Sequence, residues 1–131
     1  MKPVVPDTDV VSFLFKRDTR ASLYFPHPEN REWLISFMTE AELEQWALIA
    51  NWSDKRTDWL RLFMARFAVA PSSRALVPTW ARTMAAARKG GRRIETTDAW
   101  IAATALLYDA PLLTHNKSDY ARVPGLRFGD E

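Results

Sequence analysis

Four short apolar runs separated by helical patterns place the strongest constraint on the fold of this chain. The runs cover residues 4–6, 33–38, 67–71 and 112–114, and each is short enough for a buried strand. Apolar residues at helical spacing lie between them. Strands that alternate with helices in this way form βαβ units. We therefore predict an α/β domain over residues 1–131, with a mostly parallel sheet and helices on both faces.

Polar residues follow three of these apolar runs, and another polar residue opens a helix. Asp7 ends the first run, and Glu42 falls in the first turn of a helix that Thr39 opens after the second. Asp98 opens an alanine-rich helix. After the last run come a polar amide and a carboxylate: Asn116 and Asp119. Parallel sheets bind ligands beyond the carboxyl ends of their strands, so we expect these groups to converge at one edge.

Carboxylates held close together repel one another unless a cation lies between them. Mg²⁺ or Mn²⁺ suits such a site, because hard divalent cations prefer oxygen ligands. An ion with few protein ligands keeps open positions for a phosphate oxygen and a water. The chain has no Cys and no P-loop motif. The pattern therefore favours phosphodiester hydrolysis over nucleotide-driven transfer.

Each of these polar residues also has an ordinary structural role open to it. Thr39 and Glu42 have the spacing of a capping box. Asp7 fits an N-cap, and Asp98 fits the favourable charge at the start of a helix. The two polar residues after the last run fit a turn and a solvated surface acid. A single site accounts for all of the junctions together, whereas the ordinary roles need a separate coincidence at each.

The composition of the chain limits the cellular compartments and the binding partners that we expect. No run approaches the ~18 uncharged apolar residues of a membrane helix, and the first residues lack the apolar stretch of a signal peptide. With no Cys as well, we expect a cytoplasmic protein that contacts no membrane. The formal net charge is only +2. Five cations nevertheless lie close together in the sequence: Arg82, Arg88, Lys89, Arg92 and Arg93. They could hold RNA phosphates, or they could favour a helix C-terminus and solubility.

Four motifs in order carry a family resemblance that extends from residue 4 to residue 126. They are VVPDTDVVS, TEAEL, DAWIAATAL and LLTHNKSDYARVPGL. With these motifs the chain resembles a PIN-domain ribonuclease, of the VapC toxin type found in toxin–antitoxin pairs. The resemblance implies a three-layer α/β/α PIN fold and a Mg²⁺- or Mn²⁺-dependent endoribonuclease. It also implies metal-binding and catalytic roles for the matching residues: Asp7, Glu42, Asp98 and Asp119, with Asn116 as a further metal ligand.

The resemblance further implies an RNA substrate such as tRNA, a homodimer, and inhibition by a small antitoxin protein. In the family, the helices that carry the extra aromatic residues help to form the antitoxin groove. Here these residues are Trp46, Trp52, Trp59 and Phe63. His115 lies beside the site in sequence and fits an RNA contact as well as a chemical role. The chain departs from the family at Asp9, where Asn is frequent, and in the loop before Asp98.

Two other interpretations of the sequence remain open. The segment VVPDTDV resembles the hhhDxDx(T/V) loop of haloacid-dehalogenase-like phosphatases, in which the first Asp is a nucleophile. The chain is short for that fold and shows no later GDxxxD-type loop. Alternatively, a PIN fold that keeps its acids could act only by binding RNA or a protein.

Overall fold

The computed structural model describes residues 2–129. Strands and helices alternate along them as the apolar runs predict. The elements are β1 (Val5–Pro6), α1 (Thr8–Phe15), a 3₁₀ helix (Thr19–Leu23), β2 (Leu34–Ser36), α2 (Phe37–Ile49), α3 (Asp54–Met64), β3 (Ala68–Ala70), α4 (Leu76–Lys89), α5 (Thr96–Leu107), β4 (Leu112–Leu113) and a second 3₁₀ helix (Lys117–Tyr120).

The strands pair in parallel. Val5 lies opposite Leu112 where β1 meets β4, and β2 runs beside β3. A parallel bridge between Val4 and Trp33 joins the two pairs, and Phe128 adds a last bridge outside β4. The order is therefore β3–β2–β1–β4. The chain moves outward from β1 to β3 and then returns to the other side of β1. This reversal creates a crevice at the carboxyl ends of β1 and β4, where open α/β sheets bind ligands.

Helices cover both faces of the sheet, which confirms the predicted α/β architecture. Neighbouring residues of a strand point to opposite faces. Val4 accordingly belongs to one buried cluster, with Val10, Ile35 and Leu60, while Val5 belongs to a second cluster on the other face. The second cluster includes Ala102 and Ala105 of α5, whose small side chains let that helix approach the sheet closely. Within residues 2–129, no helix is both long enough and apolar enough to cross a membrane.

The start of α2 differs from the prediction. The helix begins at Phe37, and the Ser36 hydroxyl caps it by accepting a hydrogen bond from the backbone N–H of Met38 at 3.0 Å. Thr39 is therefore a buried helical residue, and the predicted capping box with Glu42 is wrong. Ser36 ends β2 directly, so its hydroxyl reaches the first free N–H groups before Thr39 can. As a result, Glu42 lies in the second turn of α2 and its carboxylate is not used as a cap.

His27 is buried and anchors two chain segments. Its Nδ1 accepts a hydrogen bond from the backbone N–H of Glu29 at 3.2 Å. Its Nε2 lies 3.2 Å from the carbonyl oxygen of Gly129 and donates to it. A Cβ at Gly129 would come within 2.6 Å of Leu113 Cδ2, so a larger residue there would have to displace the end of the Leu113 side chain.

Candidate active site

Asp7 lies at the carboxyl end of β1, with only 6% of its surface exposed. Its Oδ1 caps α1 by accepting a hydrogen bond from the Val10 N–H at 3.0 Å. Its Oδ2 accepts a hydrogen bond from the Thr114 hydroxyl at 2.6 Å. Burial raises the pKa of Asp7 to about 6, although both hydrogen bonds lower it; the charges of Asp9 and Asp98 add to the rise. The N-cap role is therefore present, but burial and nearby negative charge still disfavour the ionised form of Asp7.

Glu42 projects from α2 toward the start of α1. Its Oε1 accepts a hydrogen bond from the Thr8 hydroxyl at 2.7 Å. Thr8 Oγ1 also lies 3.1 Å from Oγ1 of the buried Thr39, so the Thr39 hydroxyl helps to fix the position of the Thr8 hydroxyl. Thr8 follows Asp7 directly. The hydrogen bond to Thr8 thus holds the Glu42 carboxylate at the start of α1, one residue after Asp7 in the chain.

Asp98 lies in the first turn of α5 and is half-buried. The hydroxyl of Tyr120 donates to its Oδ1 at 3.3 Å. The pKa of Asp98 is raised to about 6, first by burial and then by the charges of Asp119 and Glu42. Burial and the neighbouring carboxylates also raise the pKa of Tyr120 above its usual value, so this hydroxyl stays protonated and remains a donor.

We call the three carboxylates Asp7, Glu42 and Asp98 the acidic site. They share one kind of contact. Each accepts a hydrogen bond from a hydroxyl on another element: Thr114, Thr8 and Tyr120 respectively. Across residues 2–129, no three His, Cys, Asp or Glu side chains form a ready-made cluster for a metal ion. The pKa values of Asp7 and Asp98 are raised first by burial and then by the charges of neighbouring carboxylates.

The other predicted site residues lie at the rim. Asn116 and Asp119 are both exposed. Asn116 lies just before the 3₁₀ helix that follows β4, and Asp119 lies within that helix. The Asn116 backbone N–H donates to Thr114 Oγ1 at 3.0 Å, which ties this segment to the Asp7 donor. The negative charge of Asp119 raises the pKa of Asp98, so the two carboxylates are electrostatic neighbours. Asp119 thus faces the acidic site from solvent.

The predicted basic residues divide into two groups. Arg88, Arg92 and Arg93 line a cleft of about 760 Å³ between the end of α4 and the start of α5. Arg92 also donates to the backbone oxygen of Ser118 at 3.2 Å, in the same 3₁₀ helix as Asp119. The cleft therefore adjoins the segment that carries the rim carboxylate.

The remaining predicted RNA contacts do not line this cleft. Arg82 turns to the Thr79 hydroxyl at 3.3 Å, and Lys89 lies exposed at the end of α4. His115 is exposed, but its ring packs edge-on against Phe13, with ring centroids 5.4 Å apart. The Nδ1 of His115 lies 3.0 Å from the Tyr24 hydroxyl.

A second concave surface, which we call the apolar groove, lies between the end of α1 and α3. It has a volume of about 850 Å³. Its apolar lining is Phe15, Trp59 and Leu62, and its cationic lining is Lys16, Arg17, Lys55 and Arg56. Trp59 and Leu62 are 59% and 67% exposed.

Of the four predicted groove aromatics, only Trp59 lines the apolar groove. Trp46 and Trp52 are half-buried and pack against Phe15, with centroid distances of 6.5 and 5.7 Å. Phe63 is buried in the core beneath them. These three residues form the wall behind the groove, because their rings complete one cluster around Phe15.

The sequence interpretation missed the three hydroxyl donors. Thr114 carried a usable signal, because a polar residue directly after an apolar strand points to the ligand edge of the sheet. Thr8 offered a weaker one, as a hydroxyl between Asp7 and Asp9. Nothing local marked Tyr120, whose contact with Asp98 spans 22 residues.

Comparison with known proteins identifies the family and the fold. A model of the PIN domain matches residues 4–126. Ribonuclease VapC1 of Haemophilus influenzae (strain R2866) is 30% identical over 132 residues, covering 95% of this chain and 94% of that protein. The VapBC-1 structure from nontypeable Haemophilus influenzae aligns with a TM-score of 0.76 and 26% identity over 95% of both chains.

Another solved complex, VapBC2 from Rickettsia felis bound to a DNA fragment from its promoter, has a TM-score of 0.83 at 20% identity. It covers 95% of this chain and 96% of its own. The match over nearly the whole chain favours the PIN assignment over the phosphatase alternative. The chain belongs to the PIN-domain family, among its VapC-type ribonucleases.

Proposed function

We propose that this protein is a divalent-metal-dependent endoribonuclease that acts as the toxin of a toxin–antitoxin pair. The carrying observation is the meeting of Asp7, Glu42 and Asp98 at the switch point of the sheet, with Asp119 at the rim. Two of these carboxylates have pKa values raised to about 6 by burial and by neighbouring negative charge. Such a site is costly unless a cation or a reaction uses it.

The donor set fits Mg²⁺ or Mn²⁺, since every candidate ligand is a carboxylate or amide oxygen. Asp7, Glu42 and Asp98 would hold the ion, and Asn116 and Asp119 would complete its surroundings or hold a water. When bound, the metal would polarise the scissile phosphate and lower the pKa of the attacking water. Thr114, Thr8 and Tyr120 orient the carboxylates. No His is required as a general base.

RNA is the substrate that the surroundings favour. Arg88, Arg92 and Arg93 line a cleft that adjoins the Asp119 segment, and guanidinium groups bind phosphate in a bidentate manner. A polynucleotide held there would pass the rim of the acidic site. We propose structured RNA such as tRNA, which is the substrate that the family resemblance implies.

The apolar groove supports an antitoxin partner. Trp59 and Leu62 expose large apolar surfaces beside four cations. An amphipathic segment with an apolar face and acidic flanks would cover the rings and pair with those cations. Similar chains from Rickettsia felis and nontypeable Haemophilus influenzae were solved as VapBC complexes. We further propose that the toxin is a homodimer, which size-exclusion chromatography with light scattering would test.

Cleavage of total tRNA by the purified, partner-free protein tests the enzyme. Reactions contain Mg²⁺, Mn²⁺ or EDTA, with an Asp98→Asn variant beside them. The matched control is Asp54→Asn, which removes an exposed acid from the first turn of α3. We expect discrete fragments with metal, none with EDTA or Asp98→Asn, and full activity in the control.

Other outcomes would contradict the proposal. Cleavage that survives both EDTA and Asp98→Asn would exclude the acidic site as its source. A protein that retards RNA on a gel without shortening it, in either metal, would favour the binding-module alternative.

A further inference from the structure

Tyr120 is a buried hydroxyl that faces the acidic site and has no part in the proposed function beyond holding a carboxylate. Its ring belongs to the cluster on the α5 face of the sheet, together with Val5, Ile101 and Leu112. Only 2% of the residue is exposed. The ring is therefore fixed by packing, while its hydroxyl reaches Asp98 Oδ1 at 3.3 Å.

The segment that carries Tyr120 is fixed from outside as well. The 3₁₀ helix Lys117–Tyr120 begins with the Asp119 N–H donating to the Asn116 carbonyl oxygen at 3.0 Å. Arg92 holds it from the other side through the Ser118 carbonyl oxygen at 3.2 Å. A tyrosine hydroxyl held by both packing and backbone contacts cannot follow Asp98 if that side chain rotates. It therefore favours one rotamer of the carboxylate.

The hydrogen bond also makes the two carboxylate oxygens of Asp98 inequivalent. Oδ1 receives the Tyr120 hydroxyl, and no hydrogen bond to Oδ2 is found among the described residues. A hydroxyl that donates to one oxygen of a carboxylate ligand fixes the direction of the other and offsets part of its charge. Such outer partners commonly set metal affinity, and removing them costs about 10–100-fold in affinity or activity.

We propose that Tyr120 is a positioning residue that holds Asp98 in the orientation required for divalent-metal binding. The inference rests on the proposed metal-dependent function, because it concerns how one carboxylate is presented to the ion. It adds a residue that contacts neither the ion nor the RNA. Its effect should therefore appear in metal affinity rather than in the rate at saturating metal.

The test is Mn²⁺ binding to the metal-free protein, measured by titration calorimetry on wild type, Tyr120→Phe and Tyr108→Phe. Phe keeps the buried ring of Tyr120, and circular dichroism checks that the fold is intact. Tyr108 gives the matched control, since it is exposed at the other end of α5. We expect Tyr120→Phe to weaken Mn²⁺ binding by about tenfold or more, and Tyr108→Phe to match wild type.

RNA cleavage measured over a range of Mn²⁺ concentrations supplies the second readout. The Mn²⁺ concentration for half-maximal rate should rise about tenfold in Tyr120→Phe, while the rate at saturating Mn²⁺ stays near that of wild type. A rate reduced equally at every Mn²⁺ concentration would mean a merely structural role and overturn the proposal. Equal Mn²⁺ affinity in Tyr120→Phe and wild type would also overturn it, and would leave the nuclease proposal intact. If wild type itself neither bound Mn²⁺ nor cleaved RNA, the metal-dependent function would fail, and this inference with it.

Discussion

The Thr114 hydroxyl donates to Asp7 Oδ2 across 2.6 Å, although the two residues are 107 positions apart in the chain. The contact exists because β1 and β4 are parallel neighbours whose carboxyl ends meet. It is the strongest interaction that counteracts the burial of Asp7, since it leads the effects that lower the pKa of that carboxyl. The Thr114 hydroxyl oxygen also accepts a hydrogen bond from the Asn116 N–H, so one hydroxyl connects the centre of the site to its rim.

Thr114→Val should therefore weaken the site without changing its shape. We expect the pKa of Asp7 to rise further and the free energy of unfolding at pH 7.5 to fall by about 1–3 kcal/mol, because a buried acceptor loses its donor. Urea unfolding followed by circular dichroism measures this. Thr19→Val, at an exposed position of the first 3₁₀ helix, is the control and should have little effect. An equal change in both variants would mean that the hydrogen bond to Asp7 is not responsible.

Asp7→Asn should stabilise the metal-free protein above about pH 6. The folded pKa of Asp7 is about 6, against an ordinary 3.8, so the folded state holds a proton that the unfolded state has lost between these values. Stability conferred by protonated Asp7 is therefore present at low pH and is lost as pH rises through this window. A pKa about two units higher corresponds to at most about 3 kcal/mol.

Urea unfolding in EDTA at pH 4.5 and at pH 7.5 would measure this difference. Asp7→Asn should gain its full stability over wild type at the higher pH and only about a third of that gain at the lower, because pH 4.5 lies near the start of this window. The Asp54→Asn control should show no such dependence. A gain of the same size at both pH values would argue against a raised pKa for Asp7.

Replacing Arg88 and Arg93 by Gln should weaken RNA binding through the loss of phosphate contacts. In an Asp98→Asn background that cannot cut, the logarithm of the binding constant should fall less steeply with the logarithm of salt concentration. The slope should decrease by about one for each arginine that contacts a phosphate. Arg74→Gln, at an exposed position before α4, is the control. Filter binding from low to moderate salt measures the slope, and an unchanged slope would remove the cleft from the RNA path.

Trp59→Ala should weaken binding of the antitoxin while leaving the toxin folded. The side chain is 59% exposed, so its removal should change stability by no more than about 0.5 kcal/mol. An exposed aromatic that anchors a partner can contribute about 2 kcal/mol or more to binding. Calorimetry with the cognate antitoxin would measure the affinity. Leu23→Ala, which is similarly exposed at 62% but lies outside the groove, should bind normally. Equal affinity in all three proteins would place the partner elsewhere.

Local patterns were enough to predict most of the framework. Apolar runs of strand length and helical periodicity indicated the order of elements, and Asp7 was identified at the end of β1. The start of α2 was predicted incorrectly because Ser36 and Thr39 are both able to cap a helix. The choice depends on where β2 stops pairing with β3, and the sequence near the junction does not encode this.

The hydroxyl partners of the acidic site lay beyond local reasoning for a different reason. Thr8 reaches Glu42 over 34 residues, and Tyr120 reaches Asp98 over 22. Contacts at such separations follow from how helices pack on the sheet. The positions of the tryptophans have the same origin. Trp46 and Trp52 do not line the apolar groove, because Phe15 packs against them.

The pairing of β1 with β4 bears on when the acidic site can form as the chain is made. A ribosome that has released the chain only as far as the start of α5 has made Asp7, Glu42 and Asp98, but β1 still lacks β4 beside it and Asp7 lacks its hydroxyl donor. Thr114, Asp119 and Tyr120 follow α5 in the sequence, so they emerge after all five α-helices of the described residues. The hydrogen bonds that Thr114 and Tyr120 donate to Asp7 and Asp98 can therefore form only after these helices have been made.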